Sequence, residues 1–179
     1  MMFRNRKFRS ILFPFALLCL SFLFAYACTG SKKSSSVNND FPGEPGDSLV
    51  AYLERTRCFG VCPHFSIKYY RSGYVLYEGF DNVKKIGRFY TYISKEQLRS
   101  IGEKAEELSY FELNDEYRNK HLTDFPTIYS EVRFRGKVKK ITHYDAEPPG
   151  NLVEMENFLD KLIPEETNWK LHPVQNLKD

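Results

Sequence analysis

Cys58-Phe59-Gly60-Val61-Cys62-Pro63-His64 places two thiols and an imidazole within seven residues, the densest reactive grouping in the chain. Such a set can hold a soft cation such as Cu(I), or cycle between dithiol and disulfide. The competing chemistry is structural. In an oxidising compartment Cys58 and Cys62 are expected to pair, and closing so short a loop contributes about 2 kcal/mol in the chain-entropy account. His64 opens a strand-like run, where a surface or hydrogen-bonded imidazole is the simpler expectation.

The other titratable groups give weaker patterns. His143 in Thr142-His143-Tyr144 falls opposite Ile128 if Arg135-Gly136 is a two-residue turn, which makes it a satisfied sheet histidine before a general base. Asp124 could serve His143 or His121 as an acid partner, yet an Asp ahead of Phe125-Pro126 ordinarily caps its own bend. Asp115-Glu116 reads as solvated loop acid. No nucleophile or phosphate loop accompanies these groups, so no catalytic residue is assigned. Arg133, Arg135, Lys137, Lys139 and Lys140 concentrate charge on one hairpin, either as a binding surface for an anionic envelope polymer or lipid, or as a guarded sheet edge. Tyr70, Tyr77, Tyr90 and Tyr92 offer aromatic area for binding or for cross-strand packing.

The elements that must position these residues follow from periodicity. Ser48–Arg57 has strand composition, and Phe65, Ile67 and Tyr69 alternate with polar neighbours before Ser72-Gly73 and a second run, Tyr74–Glu78, which together make a hairpin. Lys85–Tyr92 is a further extended segment. Ser94 with Gln97 forms a capping box for a helix over about Lys95–Leu108, with Leu98, Ile101, Ala105 and Leu108 on one face and Gly102 as a weak point. Thr127–Phe134 and Lys137–Tyr144 flank the Arg135-Gly136 turn. Asn151 with Glu154 then caps a second helix carrying Leu152, Met155, Leu159 and Leu162, and Pro164 ends it. The order predicts an α+β domain: an antiparallel sheet of about five to six strands with two helices packed on one face.

The amino terminus decides location. Arg4, Arg6, Lys7 and Arg9 precede an apolar run from Ile11 to Ala27, and Cys28 follows Ala25-Tyr26-Ala27 directly. This is the pattern of a lipoprotein signal, with Ala25 where Leu is usual and Leu23 close by. Its 17 apolar-run residues, interrupted by Pro14 and Ser21, are shorter than the roughly 20 a spanning helix needs. Residues 1–27 are therefore expected to be removed, Cys19 with them, and Cys28 to carry covalent lipid. The chain has 26 basic and 23 acidic residues. Four of the basic and none of the acidic lie in the signal, leaving 22 against 23 in the mature chain. A near-neutral exported domain has no field that would draw it to nucleic acid. Residues 28–47 read as the lipidated cysteine and a tether rich in Ser, Gly, Pro and Asn; as a flexible coil, the 19 residues after Cys28 span about 24 Å. By analogy with lipoprotein sorting, Thr29 rather than Asp after the cysteine implies an anchor in the outer membrane, facing the periplasm. Residues 48–163 hold one domain, and 164–179 form a carboxy-terminal tail.

Cys58 through Pro63, Gly73, Tyr77-Glu78-Gly79, Asn82-Val83, Gly87, Asp115-Glu116-Tyr117, Thr123 through Thr127, and Pro148 ahead of Leu152 together resemble the bacterial domain of unknown function numbered 6438, over about residues 50–170. The resemblance implies a single domain of a small lipoprotein or secreted protein and carries no residue role. The C-x3-C-P spacing is also similar to that of copper-delivery thioredoxin relatives, where the cysteines introduce a helix that lowers the thiolate pKa. Here the following residues alternate as a strand, and only Arg55 and Arg57 stand nearby. The expected function is a non-catalytic binding or structural module of the cell envelope, anchored by lipid and without cofactor, with an envelope protein or cell-wall polymer as partner. The alternative is a thiol redox or copper protein using Cys58, Cys62 and His64.

Overall fold

Alternating apolar positions build the sheet seen in the computed structural model, which describes residues 47–164 and 167–173. The expected signal at 1–27, the expected lipid site Cys28 and the expected tether as far as residue 46 lie outside the described residues, as do residues 165–166 and 174–179 of the tail. Within 47–173, Leu49–Arg55 (β1), His64–Tyr70 (β2), Tyr74–Asp81 (β3) and Gly87–Tyr92 (β4) precede the helix Lys95–Glu107 (α1). A short 3-10 turn at Tyr110–Glu112 leads to Glu116–Arg118 (β5), then Ile128–Phe134 (β6), Lys137–Tyr144 (β7), the helix Gly150–Lys161 (α2) and Lys170–Leu171 (β8).

The strands form one eight-stranded sheet in the order β5-β7-β6-β1-β2-β3-β4-β8. The α+β character holds, but the expected five to six strands are eight. The two additions are short edge strands. β5 pairs parallel with β7, matching Glu116 with Thr142, so the sheet is mixed although every other pairing is antiparallel. β8, within the segment expected to be tail, pairs with β4 through Phe89 and Leu171.

Register fixes the two faces. Leu53 lies opposite both Ile67 and Ser130, and Ser130 opposite Ile141, so these four side chains share one face. That face meets both helices: Ile101 and Ala105 of α1, and Leu152, Met155 and Leu159 of α2, join its residues in one buried cluster. The other face carries Tyr52, Lys68, Glu78, Arg88, Glu131 and Lys140 in cross-strand rows, ion-paired at Lys68–Glu78, Arg88–Glu78 and Lys140–Glu131.

α1 starts as its capping box dictates, with the Gln97 amide donating to Ser94 Oγ at 3.2 Å and Ser94 N to Gln97 Oε1 at 3.0 Å. Gly102 has a packing reason to be there: a Cβ would lie 2.0 Å from the ring of Phe134, so only glycine lets α1 approach β6 this closely. The expected Asn151–Glu154 cap is not formed. α2 begins behind Pro149 with no side-chain cap. Asn151 Nδ2 instead donates to the Leu108 carbonyl at 2.8 Å, and Glu154 pairs with Lys104 at 2.7 Å, so both side chains tie α2 to α1.

Candidate functional site

The C-x3-C-P-H segment connects β1 to β2 at the end of the sheet where β1 finishes. Cys58 and Cys62 stand at disulfide distance, their Cα atoms 5.7 Å apart. Neighbours hold the closed loop on both sides. Phe59 N donates to the Asp124 carbonyl at 3.4 Å, and Thr56 exchanges hydrogen bonds with Thr127 at 2.9 and 2.8 Å, joining it to the β5–β6 connection. Asn82 Nδ2 donates to the Cys62 carbonyl at 3.2 Å, and the His64 and Phe80 rings lie 4.5 Å apart, joining it to the β3–β4 connection. On this braced base Phe59 and Val61 are 88% and 87% exposed, and Phe80 at the end of β3 and Ile86 and Phe125 on the flanking connections are exposed as well. Five of the nine large apolar side chains exposed among the described residues thus lie on three connections and the adjoining end of β3.

His64 does not join the sulfurs as a ligand set. Arg57 Nε donates to His64 Nδ1 at 3.3 Å, and Arg57 also faces Asp81 at 3.9 Å. Among the described residues no three His, Cys, Asp or Glu side chains are grouped as metal ligands.

The five basic residues of the second hairpin are not brought together. Arg133 and Lys140 share Glu131 on the helix-free face, at 2.5 and 3.0 Å. Lys139 turns to Asp115 at 2.6 Å on the other side, Lys137 lies over the Phe111 ring, and Arg135 in the turn reaches Glu106 at 3.0 Å. Each charge has an internal partner. The tyrosines divide too: Tyr70, Tyr90 and Tyr92 cluster around buried Tyr74 on the helix-free face, whereas Tyr77 lies on the helix-covered side.

His143 lies opposite Ile128 as its register requires, but its acid is Glu156 of α2 rather than Asp124. Nδ1 is 3.0 and 3.1 Å from the two Glu156 oxygens, and Nε2 is 3.0 Å from the Asp145 carbonyl. An imidazole between a carboxylate and a carbonyl satisfies both only by donating from both nitrogens, as the imidazolium. Burial opposes that charge most strongly, but the Glu156 hydrogen bond and charge, with the Asp145 carbonyl, outweigh it and raise the His143 pKa. Both side chains are buried beneath α2, out of reach of a substrate. His121 is exposed in the β5–β6 connection, its backbone N–H held by Asn119 Oδ1 at 3.0 Å, and Asp124 adopts a left-handed φ of 68° there.

A cleft of about 350 Å³ opens beside the disulfide loop, and sequence reasoning missed it. Phe65, Ile67 and Ile163 form its floor, and Tyr77 and Trp169 line one wall with ring centroids 5.6 Å apart. Pro63, directly behind Cys62, and Val83 form another. The β3–β4 connection reaches the cleft because Gly79 lets it fold back: a Cβ there would sit 1.9 Å from the Lys85 carbonyl oxygen. The polar groups are Asn82, Lys84, Lys85 and Asp160, the last held by Arg55 Nε at 3.2 Å. Burial, and then the Asp160 charge, push the Tyr77 hydroxyl up to about 12, so it stays protonated.

Sheet, helices and loop end together make a small α+β module whose accessible features are a braced apolar loop cluster and an aromatic-walled cleft. The family model described as "Domain of unknown function (DUF6438)" matches residues 50–163, and the chain belongs to that family. No curated protein matches the chain.

Proposed function

We propose that this chain is a lipid-anchored, non-catalytic binding module of the cell envelope, and that it engages its partner through the loop end of the sheet. The observation that carries the reading is the five-residue Cys58–Cys62 loop with Phe59 and Val61 almost fully exposed on a base pinned from both sides. Exposed apolar side chains normally cost solubility, and holding them rigid lowers the entropy lost on association. The amino-terminal pattern supports delivery through the secretory route, lipid on Cys28 and retention at the outer membrane facing the periplasm. In that oxidising compartment the disulfide persists and acts as a staple.

A photo-crosslinking residue at position 59 of the full chain, expressed in an envelope-bearing host, is the test. Discrete adducts at position 59 and none at exposed Val138, lost when Cys58 and Cys62 are both replaced by Ser, are expected. Equal labelling at the two positions refutes a binding role for the loop end. Cys28→Ser is expected to release the chain from the membrane fraction; a variant that stays bound refutes the anchor.

A further inference from the structure

Resting on the binding-module reading, we infer that the cleft beside the disulfide loop is a sugar subsite that takes an uncharged pyranose ring of an envelope glycan. Three features select that ligand class. The first is the wall: Tyr77 and Trp169 are both only partly buried and stand 5.6 Å apart, giving aromatic faces on which the C–H side of a sugar ring can lie.

The second is the mixture of polar groups. Asp160 only accepts, the protonated Tyr77 hydroxyl donates and accepts, and the Asn82 amide, one N–H of which is given to the Cys62 carbonyl, keeps its own carbonyl and a second N–H. A polyhydroxylated ring, whose every hydroxyl is donor and acceptor, satisfies such a set. Lys84 and Lys85 also line the cleft, and Asp160 is 3.2 Å from Arg55, so charges of both signs border it, and a ring whose hydroxyls donate and accept can meet either sign. The third is rigidity and size. About 350 Å³ is at the small end of ligand pockets and suits one ring with part of a neighbour. Its walls are set before any ligand arrives, by the Asn82–Cys62 hydrogen bond, by the close approach over Gly79 and by the Arg55–Asp160 pair.

Trp169 is the sole tryptophan of the chain, so its emission reports directly on the cleft. The full chain in detergent is titrated with tri-N-acetylchitotriose and with maltotriose, both uncharged, and with octanoate as an anionic amphiphile. A saturable change in emission with at least one trisaccharide, and none with octanoate, is expected. By calorimetry Trp169→Ala should weaken that binding roughly tenfold and Tyr77→Phe roughly threefold, whereas Trp169→Phe, which keeps an aromatic face, should hold it within about threefold. Asp160→Asn, checked for an unchanged melting profile, keeps the test independent of any folding defect at Trp169. The inference is overturned if neither trisaccharide binds up to about 10 mM, if octanoate binds instead, or if Trp169→Ala and Asp160→Asn both bind as the parent does. Position-59 adducts that persist when both trisaccharides fail would remove the sugar subsite and leave the binding module standing.

Discussion

The patch of sheet beneath α2 and the loop end of the same sheet solve opposite problems with neighbouring strands. Under α2, β7 and the helix enclose His143 and Glu156 so fully that an ion pair becomes an internal strut. At the loop end, β1 and β2 project Phe59 and Val61 into water on a short disulfide loop. The first region hides charge, and the second displays apolar surface. On the proposed reading, the charge pair serves stability and the exposed loop residues serve recognition, so Phe59 and His143 can be perturbed separately.

The sharpest way to break this contrast is His143→Ala. It leaves the Glu156 carboxylate buried without its partner, and about 3–5 kcal/mol of unfolding free energy should be lost in denaturant melts. If position-59 adducts still form at temperatures where this variant is folded, the two regions are independent. pH sharpens the same point. Because the folded pKa of His143 is raised, the stabilisation from its charge is complete below the unfolded value near 6.5 and is lost as pH rises through the folded one. Parent stability should therefore fall on alkaline titration across that window, and His143→Gln should flatten this component of the profile.

Replacing Cys58 and Cys62 with Ser should cost less, about 2 kcal/mol, while reducing adducts at position 59 strongly. A loss of stability with full adduct yield would mean that bracing is irrelevant to recognition. Phe59→Asp should have the smallest effect on stability, within about 0.5 kcal/mol, because the side chain is already in water. Its expected effect is on partner binding, read as the loss of adducts from a crosslinker placed at position 61.

The central elements were legible because local signals and packing agree there. Strand composition marked β1, alternation marked β2, runs set off by turn residues marked β3, β6 and β7, the Lys85–Tyr92 run marked β4, and the Ser94–Gln97 box marked the start of α1. β5 and β8 were not legible, because two or three residues carry no period and exist as strands only through β7 and β4. The Asn151–Glu154 cap does not form because Asn151 accepts only from the adjacent Leu152 N–H while donating to the Leu108 carbonyl, and Glu154 pairs with Lys104 of α1. The acid partner of His143 did leave a trace. Leu152, Met155 and Leu159 sit at helical spacing, and Glu156 occupies the remaining position of that stripe, where a carboxylate demands a buried counter-charge. The cleft left none, since it joins β2, β3, the carboxy-terminal end of α2 and Trp169, which only the tertiary fold brings together.

β1 is the first strand among the described residues and also lies in the middle of the sheet, hydrogen-bonded to β2 on one side and to β6 on the other. Traction on the residues before Leu49 therefore runs along the strand axis and loads both ladders at once. Such a load must shear many hydrogen bonds together instead of peeling them one by one. A domain hung from that strand is mechanically robust in the direction in which a tether pulls.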